Sequence, residues 1–263
     1  MHLPLLHMAA RSFARALARV GTAASLLLAS AGVSAAAPAM PATPPPSRWV
    51  ELRRDDLRVA TVMYHLAIAN RLGCPDALAP QPGFALHGIT QYGPADRAEA
   101  ALSFGLGSHV GVMAVVAGSP AARAGLRADD QLISVNGREL GSFDSAGAAP
   151  TNAPMEAARQ VLLDEMRKGE VTLRVADAEG DRAVRFTAEP GCRSIVELVP
   201  GNVVNASADG KRIMVSAGLL ARCDTDDDLA LVIAHELAHN LLHHAARLAR
   251  LGITGNGFLV AAG

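Results

Sequence analysis

One apolar run near the end of the chain constrains its fold more than any other feature. Residues 232–241 are Val-Ile-Ala-His-Glu-Leu-Ala-His-Asn-Leu, and Thr225 with Asp226, Asp227 and Asp228 precedes them. Aliphatic residues recur at helical spacing, threonine is a common N-cap, and acids favour the positive end of a helix dipole. We therefore predict one buried helix from about 226 to 251.

His235 and His239 lie four residues apart in this run, and Glu236 follows the first histidine. Positions i and i+4 share one face of a helix, so both imidazoles can reach a single zinc ion. Two buried histidines also need a partner that offsets their desolvation. We predict one Zn²⁺ held by His235 and His239, with Glu236 as the base that deprotonates a water beside the metal. The alternative is a helix with two incidental histidines.

The segment before this helix carries a second pattern. Residues 205–210 are Asn-Ala-Ser-Ala-Asp-Gly, and residues 213–220 are Ile-Met-Val-Ser-Ala-Gly-Leu-Leu. With the His-Glu-x-x-His helix, they resemble the HtpX-like and CAAX-prenyl-protease-like zinc endopeptidases over about residues 191–251. Asp228 stands where that family usually has Glu. The resemblance implies peptide-bond hydrolysis, with the strand that contains Ile213 and Val215 as the edge that holds extended substrate.

The same resemblance implies a third zinc ligand, a Glu on a later helix, but no Asp or Glu follows Glu236. His243 would lie about 12 Å from His235 along an unbroken helix. We therefore expect His243 and His244 on the helix surface or beside the ligands, and upstream acids such as Glu51 or Glu197 stay open as ligands. We expect either a chain that lacks its Glu helix at the C-terminal end or a natural short form without catalysis.

The middle of the chain alternates short apolar runs with glycine-containing turns. This alternation is typical of short strands. An apolar run with helical spacing follows Asn152, a plausible N-cap. The sequence predicts strands at 110–116, 131–135, 171–175 and 183–187, and a helix at 153–166.

Three short motifs give this region a resemblance. Gly-Ser-Pro-Ala occupies 118–121, Ala-Gly-Leu occupies 124–126, and a strand ends in Asn-Gly at 136–137. Together they resemble the PDZ domains of bacterial proteases over about residues 88–190, with Asp129 where glycine is usual. The resemblance implies a domain in which an extended peptide joins the edge of a sheet.

We predict that Phe104-Gly105-Leu106 is the loop that captures the terminal carboxylate of such a peptide. Glycine permits backbone conformations in which N–H groups point inward. The alternative is that Phe104 and Leu106 are ordinary core residues and that the domain has a closed groove.

The first 36 residues have the pattern of a secretory signal. Arg11, Arg15 and Arg19 precede an apolar run at 20–33, and small residues follow at 34–36. The run is shorter than the roughly 18 residues of a spanning helix. We therefore expect a cleaved signal, not a membrane anchor, and an exported protein, periplasmic or secreted. No later stretch is long enough to span a bilayer, and the formal charge of -1 predicts no nucleic-acid partner.

Three cysteines follow the signal: Cys74, Cys192 and Cys223. In an oxidising compartment two of them can pair and one is left over. We favour Cys74–Cys192, which would tie the N-terminal helix to the end of the PDZ-like region, although the sequence alone leaves the connectivity open.

The sequence thus predicts an α+β chain with five segments. These are a signal peptide at 1–36, a Pro-rich linker at 37–47, a helix (49–72, ended by Gly73) with a loop at 48–87, a PDZ-like β-sandwich or barrel with capping helices at 88–190, and a partial zinc peptidase domain at 191–263. The first functional hypothesis is a zinc endopeptidase whose partners are protein or peptide substrates. The alternatives are an inactive PDZ-type adaptor and a fragment too short to fold its last domain.

Overall fold

A long helix precedes every strand of the described chain. The computed structural model describes residues 47–143 and 149–251, and helix α1 spans Arg48–Ala69. It ends before the predicted Leu72 because the Asn70 side chain turns back and donates to the Leu66 carbonyl at 2.8 Å. Gly73 instead ends a separate 3-10 turn. The predicted signal and nearly all of the predicted linker lie outside the described residues.

The remaining elements follow α1 in one continuous order. They are β1 Leu78–Gln81, β2 Phe84–His87, α2 Arg97–Phe104, β3 Val110–Val115, α3 Pro120–Arg123, β4 Gln131–Val135, β5 Arg138–Glu139, α4 Ala153–Met166, β6 Val171–Asp177, β7 Gly180–Phe186, β8 Glu189–Cys192, β9 Ile195–Val199, β10 Ala206–Ala208, β11 Arg212–Ser216, α5 Ala217–Leu220, α6 Asp226–Leu241 and α7 His244–Arg250. The predicted α+β class is confirmed. None of the helices in the described part has both the length and the apolar character of a membrane span.

The middle strands form one antiparallel sheet in the order β2-β3-β4-β6-β7, and β5 pairs with β4. Val110, Leu132 and Leu173 from three of its strands are fully buried with Leu162 of α4 in one core. The predicted strands and the helix at 153–166 are confirmed. The sheet begins at Phe84, four residues before the predicted boundary at 88 and directly after a Pro-Gly turn in which φ of Gly83 is 80°.

Local capping explains the motifs of this region. Gly118 has a positive φ of 72°, Ser119 accepts a hydrogen bond from the Ala122 amide at 3.2 Å, and Pro120 occupies the first turn of α3. Asn152, predicted to cap α4, makes no capping bond with its side chain; Thr151 Oγ1 accepts from the Ala153 amide instead. The Gly-Ser-Pro-Ala motif is therefore a helix start. Asn152 occupies the predicted N-cap position of α4, but its side chain does not cap the helix.

Asp129, the departure from the PDZ-like pattern, adopts the left-handed conformation that glycine usually provides, with φ at 71°. Aspartate tolerates this conformation better than most side chains. Its carboxylate forms a two-pronged ion pair with Arg53 of α1, in which Nη1 lies 3.1 Å from Oδ2. The substitution therefore keeps the turn and adds a link between the turn and α1.

The last strands form a smaller sheet in the order β10-β11-β9. Strand β11 pairs with β9 in parallel and with β10 antiparallel, so it is the central strand. Ile213 and Val215 are fully buried in a core that also contains Leu229 and Ile233 of α6. The prediction that Ile213 and Val215 line a free substrate-holding edge is therefore wrong.

The predicted helix at 226–251 is two helices. Thr225 caps α6 as predicted, in a reciprocal capping box with Asp228. The helix stops at Leu241, and His243 takes a left-handed conformation with φ at 54° before α7 begins. Histidine adopts this conformation more often than most residues, and no glycine or proline marks the break in the sequence.

Helix α6 is buried along one face and exposed along another. Leu229, Ile233 and Leu237 face the core, whereas Leu231 and His235 are exposed. The prediction of a buried helix is correct for one face only.

The favoured disulfide is confirmed. Cys74 and Cys192 are bonded, with 5.7 Å between their Cα atoms, and Cys223 is free and buried. Cys192 also lies in the two-stranded sheet of β1 and β8, where Leu78 pairs with Cys192 and Gln81 with Glu189. The bond and this small sheet together join the chain before and after the six-stranded sheet.

Replacing Cys74 and Cys192 with alanine should lower the free energy of unfolding by about 2–5 kcal/mol, because the disulfide closes a long loop, with a sequence separation of 118 residues. Urea denaturation measures the change. Reduced wild-type chain is the control and should show the same loss, while reductant should leave the double variant unchanged. Equal stability of the oxidised wild type and the double variant would contradict the prediction.

Candidate functional site

The two motif histidines converge on one point at the surface of α6. Their Nε2 atoms are 3.1 Å apart, and their rings are 4.8 Å apart between centroids. Two nitrogen ligands at about 2.0–2.1 Å from a tetrahedral zinc lie roughly 3.3 Å apart. The donor set and its spacing therefore fit zinc, as the sequence predicts for His235 and His239.

Glu236 occupies the helix position next to His235 and is partly exposed. Within the described residues its carboxylate has no hydrogen bond or ion pair. It is therefore available to exchange a proton with a water molecule beside the two imidazoles.

Two ligands are all that the described residues bring together. Among them, no group of three His, Cys, Asp or Glu side chains is placed to hold a metal. Glu197 is engaged elsewhere, with Oε1 3.2 Å from Arg159 Nη1 and Oε2 3.6 Å from Arg212 Nη1. Glu51 lines a cavity to which α6 contributes no residue, described below. Neither upstream acid joins the histidine pair.

His244 contacts a zinc-ligand candidate, not the metal position. Its Nδ1 lies 2.9 Å from Nδ1 of His239, the nitrogen opposite the one that faces His235. A metal on Nε2 leaves Nδ1 of His239 protonated, so that N–H donates to His244 and fixes the ring of His239. The break at His243 makes this contact possible, and it agrees with the expectation that His244 lies beside a ligand.

Asn240 joins α6 to the neighbouring hairpin of β10 and β11. This buried side chain accepts a hydrogen bond from the Gly210 amide at 2.6 Å and donates to Ser194 Oγ at 3.0 Å and to the Arg212 carbonyl at 3.2 Å. It holds α6 against the turn between β10 and β11. Sequence reasoning missed it, although an asparagine directly after the second histidine, on the apolar face, was a usable signal.

Strand β10 is a free edge of the smaller sheet and lies beside α6. It pairs only with β11 among the described strands, and α6 packs against it. An edge strand has unpaired N–H and C=O groups that can bind an extended peptide. The position predicted for β11, a strand edge that is free to hold an extended substrate, is therefore occupied by β10 (Ala206–Ala208).

A cavity of about 1080 Å³ lies between α1, β2, α4 and β9. All four residues of β2 line it, and β2 pairs only with β3 among the described strands. Met155, Leu162 and Met166 of α4 form part of the opposite wall. The cavity is therefore an elongated groove along a free strand edge, and the motif residues of α6 do not line it.

The predicted capture loop does not border this groove. Phe104 is buried against Trp49, with 5.6 Å between ring centroids, Leu106 is also buried, and Gly105 ends α2 in a left-handed conformation. The prediction for Phe104, Gly105 and Leu106 is wrong in position, and the core alternative holds. The turn that leads into the open edge is Pro82–Gly83, and both residues line the groove.

Burial shifts the pKa values of three groups at one end of the groove. The pKa of Asp56 rises to about 7, first because the carboxyl is desolvated and second because Asp55 is adjacent. Burial lowers the pKa of His87 to about 3, with a smaller effect of Arg53, and raises the pKa of Tyr92. His87 Nδ1 lies 2.9 Å from the Tyr92 hydroxyl. His87 is therefore neutral near pH 7.

Comparison with known proteins identifies the two modules. Residues 111–149 match the family model for the PDZ domain, and residues 170–261 match the model for Peptidase family M48, a family of zinc metalloproteases. No curated protein matches the chain. One similar solved structure is the HtrA3 PDZ domain bound to a phage-derived ligand, FGRWV. It is 23% identical, covers 43% of this chain and 88% of its own, and has a TM-score of 0.31, too low to support an argument about the fold.

Two segments of the chain therefore match family models, one for the PDZ domain and one for Peptidase family M48. Both parts of the resemblance stated from the sequence are confirmed. Each family model covers less than half of the chain.

Replacing Asn240 with alanine should lower the free energy of unfolding by about 2–4 kcal/mol, because it removes the side-chain partner of the half-buried Gly210 amide and of the buried Ser194 hydroxyl. Urea denaturation measures the loss, and hydrogen exchange should show faster exchange in the turn at 209–211. Lys211→Ala, an exposed change in the same turn, is the control and should change neither. A stable Asn240→Ala variant with unchanged exchange would refute the role given to Asn240.

Replacing Asp56 with asparagine should stabilise the chain at pH 8 by on the order of 2–4 kcal/mol and have little effect near pH 4. The folded-state pKa of about 7 lies above the ordinary value of 3.8, so the wild type loses stability as pH rises between these values. Urea denaturation at several pH values measures this. Asp181→Asn, at an exposed carboxyl, should show no such pH dependence; an Asp56→Asn effect independent of pH would contradict the prediction.

Proposed function

We propose that this chain is a zinc-dependent endopeptidase of exported proteins whose PDZ domain binds substrate tails. The observation that carries the proposal is the pair of Nε2 atoms 3.1 Å apart on the open face of α6. Glu236 lies next to this pair, and its carboxylate has no partner among the described residues. The M48 match over residues 170–261 supports the same chemistry.

His235 and His239 would hold the zinc through Nε2, and His244 would keep the ring of His239 in place. Zinc, when bound, acts as a Lewis acid that polarises a carbonyl and acidifies a water molecule. Glu236 takes the proton from the attacking water and returns it to the amine nitrogen of the leaving peptide. The edge of β10 holds the substrate backbone as an added strand, so that a peptide bond faces the carboxylate.

The PDZ groove would bind an extended peptide along β2. Its free edge offers backbone hydrogen bonds, and the apolar wall of α4 offers contact for side chains. In such grooves the peptide runs antiparallel to the strand and its carboxylate meets the loop before it. That loop is Pro82–Gly83, where φ of Gly83 is +80°.

Export is part of the same proposal. The basic, apolar and small-residue pattern of residues 1–36 supports it, and so does the Cys74–Cys192 bond, because disulfides persist mainly in oxidising compartments.

A second candidate is a peptide-binding adaptor without catalysis. The absence of a third ligand within the described residues favours it. The adaptor binds peptides in the β2 groove and does not cleave them, so peptide binding and hydrolysis separate the two functions.

Replacing Glu236 with glutamine should reduce cleavage of an unfolded protein such as casein by about 100-fold or more, because the general base is lost while both imidazoles stay. Cleavage by the zinc-loaded full chain is measured by gel, with a chelator as a further arm. Metal content should not change in this variant.

Glu179→Gln, an exposed change in the turn between β6 and β7, is the matched control and should cleave like the wild type. Equal activity of Glu236→Gln and wild type would refute the mechanism. A wild type that binds peptides, does not cleave and holds no zinc would favour the adaptor.

A further inference from the structure

The groove has two distinct ends, and α1 spans both. Near the start of β2, a Cβ placed on Gly83 would lie 3.3 Å from the Tyr64 ring. Near the end of β2, His87 binds the Tyr92 hydroxyl, and the Tyr92 ring lies 5.6 Å from Trp49. Helix α1 therefore runs antiparallel to β2, with its N-terminal turns at the His87 end.

Those first turns give the His87 end a mainly acidic wall. Glu51, Asp55 and Asp56 all line the groove, and Arg48, which also lines it, is paired with Asp96 and Glu99. Asp55 pairs with Arg54 at 3.0 Å, whereas Asp56 has no ion pair or hydrogen bond to any described residue. Arg159, a cation on the opposite wall, is already paired with Glu156 and Glu197.

An unpaired carboxyl in such a place is costly when ionised. Burial holds the pKa of Asp56 near 7, and a ligand cation would restore the charged form by offsetting that desolvation. At its His87 end the groove therefore presents a carboxyl group, that of Asp56, which a bound cation would stabilise in its ionised form.

The position of this preference along a bound peptide follows from the helix and strand repeats. Asp56 precedes Tyr64 by eight residues on α1, which is about 12 Å along the axis. An extended peptide covers about 3.3 Å per residue. A peptide whose carboxylate lies at Gly83 therefore places the residue about four positions upstream beside Asp56.

We propose that the groove selects peptides with a lysine or arginine about four residues before a free C-terminus, and that Asp56 is the residue that recognises this cation. The inference rests on the proposed peptide-binding role of the groove and adds the class of peptide that it takes. Asp56 is a specificity-determining residue here and has no part in the metal centre.

The test uses the full chain carrying Glu236→Gln, so that bound peptides are not cut. Two fluorescent peptides end in valine with a free carboxylate and differ only in lysine or glutamate at the fourth residue before the end. A third carries the lysine and an amidated end. Fluorescence anisotropy gives the three Kd values.

The lysine peptide should bind about tenfold more tightly than the glutamate peptide. Asp56→Asn should bring that ratio to about one, while Glu179→Gln should leave it unchanged. Since the Asp56 carboxyl holds no other described group, the Asp56→Asn variant should fold, which its thermal transition checks.

The outcomes separate the two proposals. One contrary outcome is that both free-carboxylate peptides bind better than the amidated one but equally to each other; another is that Asp56→Asn keeps the preference for lysine. Either result overturns this inference and leaves the peptide-binding role of the groove in place. If none of the peptides binds, the peptide-binding role of the groove fails and the inference fails with it.

Discussion

The packing of α1 against both modules is the interaction on which the rest of the structure depends. Arg53 of this helix pairs with Asp129 in the left-handed turn of the PDZ sheet. Five residues further along α1, Arg58 donates to the Asp226 carboxylate at 2.7 Å and to the Cys223 carbonyl at 2.9 Å. Asp226 is the first residue of α6. Val59 and Met63 lie in the same core as Ile233 of α6. One helix therefore contacts both the wall of the groove and α6, the helix that carries His235 and His239.

A series of polar contacts through the smaller sheet also connects the groove to α6. Arg159 of α4 pairs with Glu197 of β9, Glu197 with Arg212 of β11, and the Arg212 carbonyl accepts from Asn240 of α6. Asn240 is buried and the three charged side chains are partly buried, so leaving Asn240 unpaired would be the most costly. These contacts link the groove wall on α4 to α6, the helix that presents His239.

The parts that the sequence predicted well depend on local signals. The capping box of Thr225, the alternation of strands β3 to β7 and the i, i+4 spacing of His235 and His239 are all set by neighbouring residues. The wrong predictions concern features that tertiary packing determines. Nothing local shows that Ile213 lies on a central strand, that Phe104 packs on Trp49, or that α6 stops before His243. The groove was missed because its walls come from α1, β2, α4 and β9, which are far apart in sequence.

The central claim is that the open face of α6 is a zinc site formed by His235 and His239. Anomalous diffraction at the zinc edge, on crystals of the full chain grown with zinc, tests it most directly. The account predicts one peak within about 2.0–2.1 Å of both Nε2 atoms, with His244 on the far nitrogen of His239. Crystals that show zinc elsewhere, or no peak between these two imidazoles, would contradict it.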